Sequence, residues 1–259
     1  MCGRYVIARA TGDLVGALDA EPGETYQERI SWNVAITSPV PILLERIDDD
    51  AEVHRELHTA RWGLLPIWAK DPTFSTRTFN ARSETVNEKP AFRAALRSRR
   101  CAVLADAYYE WTGPKGAKQP YAIRPADRSV IAFAGLYEWW KAPAADQQET
   151  GQWVLSCTIL TGPSPEVGSA TSEGPGGSLD QLAHLHDRMP LAMTPQMTQE
   201  WIAPGKLAAD EAQVLVDRVG TEAFDVASGW DIYPVDKAVG NVRNEGPQLL
   251  EPLPSVLGH

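Results

Sequence analysis

Cys2 follows the initiator methionine in Met1-Cys2-Gly3-Arg4-Tyr5. Once Met1 is removed, Cys2 carries a free α-amine and a thiol on adjacent carbons, a pairing no other amino acid offers. The amine titrates near ~8 and the thiol near ~8.5, so nucleophilic forms of both exist at neutral pH. Such a 1,2-aminothiol condenses with an aldehyde through nitrogen and then closes through sulfur into a five-membered thiazolidine. Three further segments set a reactive polar residue among apolar or aromatic neighbours. They are Phe79-Asn80-Ala81-Arg82-Ser83-Glu84-Thr85, Tyr108-Tyr109-Glu110-Trp111 and His186-Asp187-Arg188-Met189-Pro190. A carboxylate between tyrosines and a tryptophan at a strand end is partly desolvated, which raises its pKa and suits Glu110 to proton transfer near neutrality. Each residue also has a structural reading: Cys2 as small buried filler, Glu110 as a strand-edge carboxylate in water, Asn80 as a turn residue bonding its own backbone, His186 as a structural histidine. His184 and His186 share a face if their segment is a strand.

The composition narrows the setting. The chain has 259 residues and a formal net charge of -10, which argues against non-specific nucleic-acid binding by the protein as a whole. The average hides a local reversal: residues 77–100 hold seven basic residues (Arg77, Arg82, Lys89, Arg93, Arg97, Arg99, Arg100) against Glu84 and Glu88, a local net of +5. A confined phosphate-tracking groove needs such a segment; a solvated helix face is the alternative. Cys2, Cys101 and Cys157 form an odd, widely spaced set without a CxxC pair, so neither a disulfide scaffold nor a metal site is expected, and no cofactor. The N-terminus lacks an apolar signal core, and no run of ~18 apolar residues occurs. A cytoplasmic protein with no membrane partner is the expectation.

The elements that must position these residues read as an α+β chain without internal repeats. A strand over Trp32 to Leu44 is interrupted by Pro39 and Pro41, hence near an edge or bend. Arg61 to Trp68 reads as a short strand opening into a loop, and Pro90 to Arg100 as a helix. Cys101 to Trp111 and Tyr121 to Arg124 read as strands joined by a hairpin through Gly113-Pro114-Lys115-Gly116. Val130 to Leu136, Trp153 to Leu160 and Trp230 to Val235 are further strands, and Gly162 to Ser178 a mobile Gly/Ser/Pro loop. Ala208 to Val219 is an amphipathic helix ended by Gly220. Interspersed helices favour a mostly antiparallel, curved sheet.

Taken jointly, the four reactive segments resemble the SOS-response-associated peptidase (SRAP) family, the abasic-site processing proteins that crosslink to damaged single-stranded DNA. Arg61-Trp62-Gly63-Leu64, Arg99-Arg100-Cys101, Phe133-Ala134-Gly135-Leu136 and Tyr233-Pro234-Val235 fall between them in the family's order, and the motifs span about 1–241. The chain departs from the family's pattern at Ile36 after Asn-x-Ala, at Leu104 and Ala107 before the Glu motif, and at Gly240. The resemblance implies one barrel-like domain over 1–259 with flanking helices, a groove for single-stranded DNA and a tail over 242–259. It implies catalytic roles for Cys2, Asn80, Glu110 and His186, with Arg4, Arg82 and Arg188 on phosphates and Trp68 stacked on or wedged beside bases; a core tryptophan is the other reading of Trp68. By the same resemblance the amine of mature Cys2 attacks the open aldehyde of an abasic site and the thiol closes the ring, Glu110 moves protons, Asn80 holds the N-terminus or the sugar, and His186 assists reversal. Weak DNA lyase and self-processing peptidase activities belong to the same picture, as do a monomeric state, nucleoid association and contact with the replication machinery. Two other functions remain open on the residues alone: an amide hydrolase with an N-terminal cysteine nucleophile, and a non-catalytic single-strand binding module.

Overall fold

The computed structural model describes residues 3–143, 151–168 and 176–254. The chain opens with β1 (Arg4–Ile7), α1 (Thr11–Leu18), β2 (Glu21–Pro22), β3 (Ser31–Ala35), β4 (Pro39–Ile47) and β5 (Val53–Trp62). A 3-10 turn (Pro72–Arg77) leads into β6 (Asn80–Arg82) and α2 (Arg93–Ser98). Then come β7 (Arg100–Ala105), β8 (Ala107–Thr112), β9 (Gln119–Pro125), β10 (Ile131–Lys141) and β11 (Trp153–Pro163). The chain continues with α3 (Ser178–Leu185), β12 (Arg188–Pro190), β13 (Ala192–Met193), α4 (Pro195–Ile202), α5 (Ala209–Ser228) and β14 (Trp230–Pro234), and two 3-10 turns follow.

Strands β5, β4, β7, β10 and β11 pair in that order, and β11 returns to β5 through a parallel pairing of Ser156 with Arg61 and Cys157 with Trp62. The sheet therefore closes into a barrel, which removes the exposed edges an open sheet would carry. Closure needs Gly135 on β10: a Cβ there would lie 2.8 Å from both the Thr158 carbonyl oxygen and a Val103 methyl. A second sheet, ordered β14-β9-β8-β1-β3, is antiparallel throughout. One core fills the barrel and the space between the sheets, with Tyr5, Trp62, Phe133 and Trp201 fully buried. A smaller cluster on the outer face of the second sheet, around Val6, Tyr109 and Ala122, is covered by Val239 and Leu249. The mixed α+β, barrel-like architecture expected from the sequence is the one observed, and no helix among the described residues is long and apolar enough to cross a membrane.

Several local expectations are corrected. The single strand over Trp32 to Leu44 is two strands, β3 and β4, joined by a turn in which Thr37 adopts φ +66°. Pro39 and Pro41 are tolerated within interior strand β4 because β7 pairs with it only at Ile42 and Leu43. Cys101 to Trp111 also divides, β7 running in the barrel and β8 in the second sheet, with Asp106 at the switch accepting the Ala8 N–H at 2.6 Å. The helix placed over Pro90 to Arg100 is α2 alone, preceded by turns. Gly220 does not end α5, which runs to Ser228 because Ala212, Val216, Val219, Ala223 and Ala227 form one buried stripe. That stripe outweighs the ~1 kcal/mol cost of an internal glycine. The loop assigned to 162–178 is shortened at both ends by β11 and α3, and its residues 169–175 lie outside the described residues. The tail from 242 is packed at its start, with Leu249 buried and Val235 bridged to Pro252.

Candidate active site

Glu110 sits inside β8, and alternation along that strand turns it to the same face as Tyr108, whose ring packs edge-on against Phe133 and Trp230 with centroids 5.9 and 5.8 Å apart. The carboxylate is 6% exposed, so the strand-edge reading with its head in water is excluded, and its Oε1 accepts the Trp111 N–H at 3.1 Å. Strand β1 lies antiparallel beside β8, pairing Tyr5 with Tyr108 and Val6 with Ala107. Continuing that register brings Gly3 level with Glu110. Met1 and Cys2 lie outside the described residues.

An aromatic chain links this end of β1 to Asn80. Tyr5 packs on Trp62 at 4.9 Å, Trp62 meets Phe79 edge-on at 6.0 Å, and the indole N–H of Trp62 donates to the Phe79 carbonyl at 2.9 Å. Asn80 opens β6, which runs parallel to β11 with Asn80 opposite Ile159 and Arg82 opposite Thr161. The other edge of β11 carries β12, with Arg188 opposite Pro163. The end of α3 is tied back to β8 by the Thr112 hydroxyl, 3.5 Å from the His184 carbonyl. The described part of the first segment pairs through β1 with β8 and packs through Tyr5 and Trp62 on Phe79, while Thr112 ties β8 to α3 and Arg188 of β12 bonds Glu84 of the second segment.

His186 is the residue that ends α3, with extended φ −159° and ψ 150°. Its Nδ1 accepts the Arg188 backbone N–H at 3.0 Å and also faces the Asp187 carboxylate. One nitrogen cannot serve both partners at once. The Arg188 N–H calls for an unprotonated Nδ1 and the Asp187 carboxylate for a protonated one, so the two contacts belong to opposite tautomers of the ring. His184 does not share a strand face with His186. It lies in the last turn of α3, largely exposed, with Nδ1 2.8 Å from the Asp180 carbonyl oxygen.

The cations divide into held and exposed groups. Arg4 donates through Nη1 to Asn33 Oδ1 and to the Val239 carbonyl, both at 2.8 Å, and lies 5.8 Å from the Trp111 ring centre; burial pushes its guanidinium below the usual value. Arg188 is forked onto Glu84 at 2.7 and 2.9 Å and donates to the Thr161 carbonyl at 2.6 Å. The hydrogen bonds from Arg188 hold the Glu84 carboxyl at about 2, against the opposing effect of partial burial. Arg82 is exposed at the end of β6. Of the basic stretch 77–100, Arg77, Arg82, Lys89 and Arg93 are exposed, whereas Arg99 pairs with Glu138 at 2.8 Å. Arg100 is buried and spends its donors on the carbonyls of Trp201, Arg97 and Ala203. The continuous groove-lining segment expected from the charge count is therefore corrected: its C-terminal end braces the scaffold.

Trp68 is 52% exposed rather than core, edge-on to Phe74 at 5.1 Å, with the Arg77 guanidinium 5.5 Å from the centre of the Phe74 ring. Its loop is anchored by the Trp140 indole N–H, which donates to the Ala69 carbonyl at 2.8 Å. It is shaped by Gly63 at φ +135°, where a Cβ would lie 2.3 Å from the Ser75 carbonyl oxygen. Cys101 and Cys157 are fully buried, and burial pushes both thiols up, so neither is a nucleophile at neutral pH. Asp48, Glu52 and His54 bring possible metal-ligand atoms within 4.8 Å of one another at the β4–β5 turn. Asp48 is already spent there on His54 Nε2 at 2.7 Å and on the backbone N–H groups of Asp50 and Glu52.

A sequence model of the SOS response associated peptidase (SRAP) family matches residues 1–242. The chain belongs to the SRAP family. Among its relatives, this SRAP chain is 33% identical to the abasic site processing protein YoqW of Bacillus subtilis, over 97% of its own length and 99% of the relative's. It is 27% identical to the abasic site processing protein HMCES of Xenopus tropicalis, over 96% and 78%. A crystal structure of a protein from Bacteroides thetaiotaomicron shares the fold, with a TM-score of 0.69 at 22% identity, covering 97% of this chain and 100% of that one. The departures from the SRAP pattern fall on scaffold: Leu104 and Ala107 are fully buried, Ile36 leads into the Thr37 turn, and Gly240 ends a 3-10 turn.

Sequence reasoning missed three residues. Asn33 ties Arg4 to the C-terminal segment, its Nδ2 donating to the Asn241 and Asn244 carbonyls at 2.9 and 2.8 Å. Thr161 and Glu84 hold Arg188. Glu84 lies in a quoted motif, but its partner is 104 residues away and no local spacing signals it.

Proposed function

We propose that this protein processes abasic sites in single-stranded DNA by forming a covalent thiazolidine through mature Cys2. Hydrolysis of the Met1–Cys2 bond frees the amine. The amine adds to the aldehyde of the ring-opened abasic sugar, and loss of one water gives an imine. The thiol sulfur then bonds to the imine carbon while its proton passes to the nitrogen, so the whole condensation releases a single water. The closing step is intramolecular, with an effective molarity on the order of 10⁵–10⁸ M when well oriented. Glu110 shuttles the protons of amine addition and water loss, Asn80 orients the N-terminus or the sugar through its amide, and His186 handles protons at the opened sugar oxygen. β-Elimination from the imine gives a minor DNA lyase activity. Exposed Arg82 and Trp68 contribute a phosphate contact and a stacking face, while Arg4 and Arg188 line the strand's path from partly buried positions.

The observation that carries this reading is the register of β1 against β8, which when continued brings Gly3 level with buried Glu110. The relatives named abasic site processing proteins support the substrate. The peptidase in the family's description favours a second reading, in which the same amine and thiol serve as base and nucleophile on an amide. The test is incubation of purified protein with matched single-stranded oligonucleotides, with and without one abasic site, followed by a denaturing gel. A heat-stable shifted band with the abasic oligonucleotide alone supports the proposal; its absence rejects it.

A further inference from the structure

Arg188 and Glu84 are unequal partners. The Arg188 side chain is 12% exposed and fixed from behind by the Thr161 carbonyl oxygen, whereas the Glu84 side chain is 48% exposed. The anion faces solvent on one side, whereas the cation is also bonded to the sheet behind it. Their two nearly parallel hydrogen bonds of 2.7 and 2.9 Å form the planar fork that guanidinium groups make equally with carboxylates and with phosphates. Arg82, two residues before Glu84, is exposed on β6, opposite the same Thr161 of β11 whose oxygens Arg188 contacts.

We propose that Glu84 is an internal phosphate mimic that occupies Arg188 in the free protein, so that an entering DNA strand exchanges one of its phosphates for the Glu84 carboxylate. The inference rests on the strand-binding reading above and adds a specificity determinant to it. Exchange of anion for anion releases less free energy than capture of a phosphate by a vacant arginine. Undamaged strands are therefore held weakly, and retention of a strand depends on the covalent step rather than on charge.

The experiment uses fluorescence anisotropy with an undamaged single-stranded oligonucleotide, so that no covalent step contributes, on the full-length protein at fixed ionic strength. Glu84→Gln keeps shape and removes charge; the release of a partly exposed ion pair predicts binding tighter by about 2–5-fold. In an Arg188→Gln background the same change should have a ratio near ~1, because the two residues act as one unit. Glu88→Gln, an exposed acid four residues away, is the control for general charge. Tightening by Glu84→Gln that is unchanged in the Arg188→Gln background, or matched by Glu88→Gln, overturns the proposal. So does unchanged or weakened binding by Glu84→Gln, which would make Glu84 a brace for Arg188. Wild-type protein that shows no salt-dependent binding would instead refute the strand-binding reading itself.

Discussion

Glu110→Gln is the substitution that separates chemistry from scaffold most cleanly. Glutamine matches the volume of glutamate, and its side-chain oxygen retains the bond now made by Oε1 to the Trp111 N–H at 3.1 Å. The edge-on packing of Tyr108 with Phe133 and Trp230 is not touched. Stability should therefore change by well under ~1 kcal/mol, leaving the thermal midpoint within a few degrees. What is lost is a proton carrier at a site 6% exposed, where water is a poor substitute. A positioned proton shuttle is worth about 10²–10⁴ in rate, or roughly 3–5 kcal/mol of barrier. The assay is single-turnover crosslinking to an end-labelled abasic oligonucleotide, quenched over time and resolved on a denaturing gel, with borohydride trapping in parallel to count imine. Glu110→Gln should slow both trapped imine and crosslink, since the shuttle serves amine addition and water loss. A crosslinking rate within about 3-fold of wild type, with the fold intact, would show that Glu110 moves no proton in the slow step.

Three further outcomes are expected. Cys101→Ala and Cys157→Ala should crosslink at wild-type rates, because burial raises both thiols, whereas Cys2→Ala should give no stable crosslink; loss of crosslinking in a folded Cys157→Ala protein would identify a different sulfur. His186→Ala should form the crosslink yet release it more slowly when challenged with competing abasic oligonucleotide, while His184→Ala, altered at an exposed ring on α3, should exchange like wild type; the opposite pattern would transfer the role to His184. The Glu84 carboxyl, depressed from 4.5 to about 2, adds stability that is fully present above pH 4.5 and lost as pH falls through 2. Because the pair is partly exposed, that contribution should stay below ~1 kcal/mol. Denaturant melts of wild type and Glu84→Gln should therefore differ at pH 6 and converge near pH 2, and a constant difference across that range would contradict the ion-pair account.

What was legible in the sequence was what local chemistry specifies. Cys2, Asn80, Glu110 and His186 stood out because each is a polar residue in an aromatic or apolar run, and the structure ties the segments of the last three together through Thr112 and the Arg188–Glu84 pair, with β1 beside β8. The Gly113–Gly116 turn was legible because glycine and proline punctuate between two apolar strands, and β8 and β9 do pair across it. Long-range partnerships were not legible. Nothing near Arg100 reveals that five backbone carbonyls enclose it, so its charge was counted toward a groove. The switch of sheets at Asp106 leaves no local break in a run that reads as one strand. Gly220 looked like a helix stop because its tertiary stripe is invisible to propensity. His184 and His186 looked like neighbours on one face because residues two apart share a strand face, whereas α3 runs through His184 and ends at Leu185.

The central claim is that the chain becomes a 1,2-aminothiol reagent once Met1 is gone. It is tested most directly by the intact mass of the purified protein–oligonucleotide adduct, followed by peptide mapping. The account predicts the mass of the protein lacking Met1 plus the abasic oligonucleotide minus one water, with the adduct on Cys2. An adduct that retains Met1, or that maps to any other residue, would contradict it.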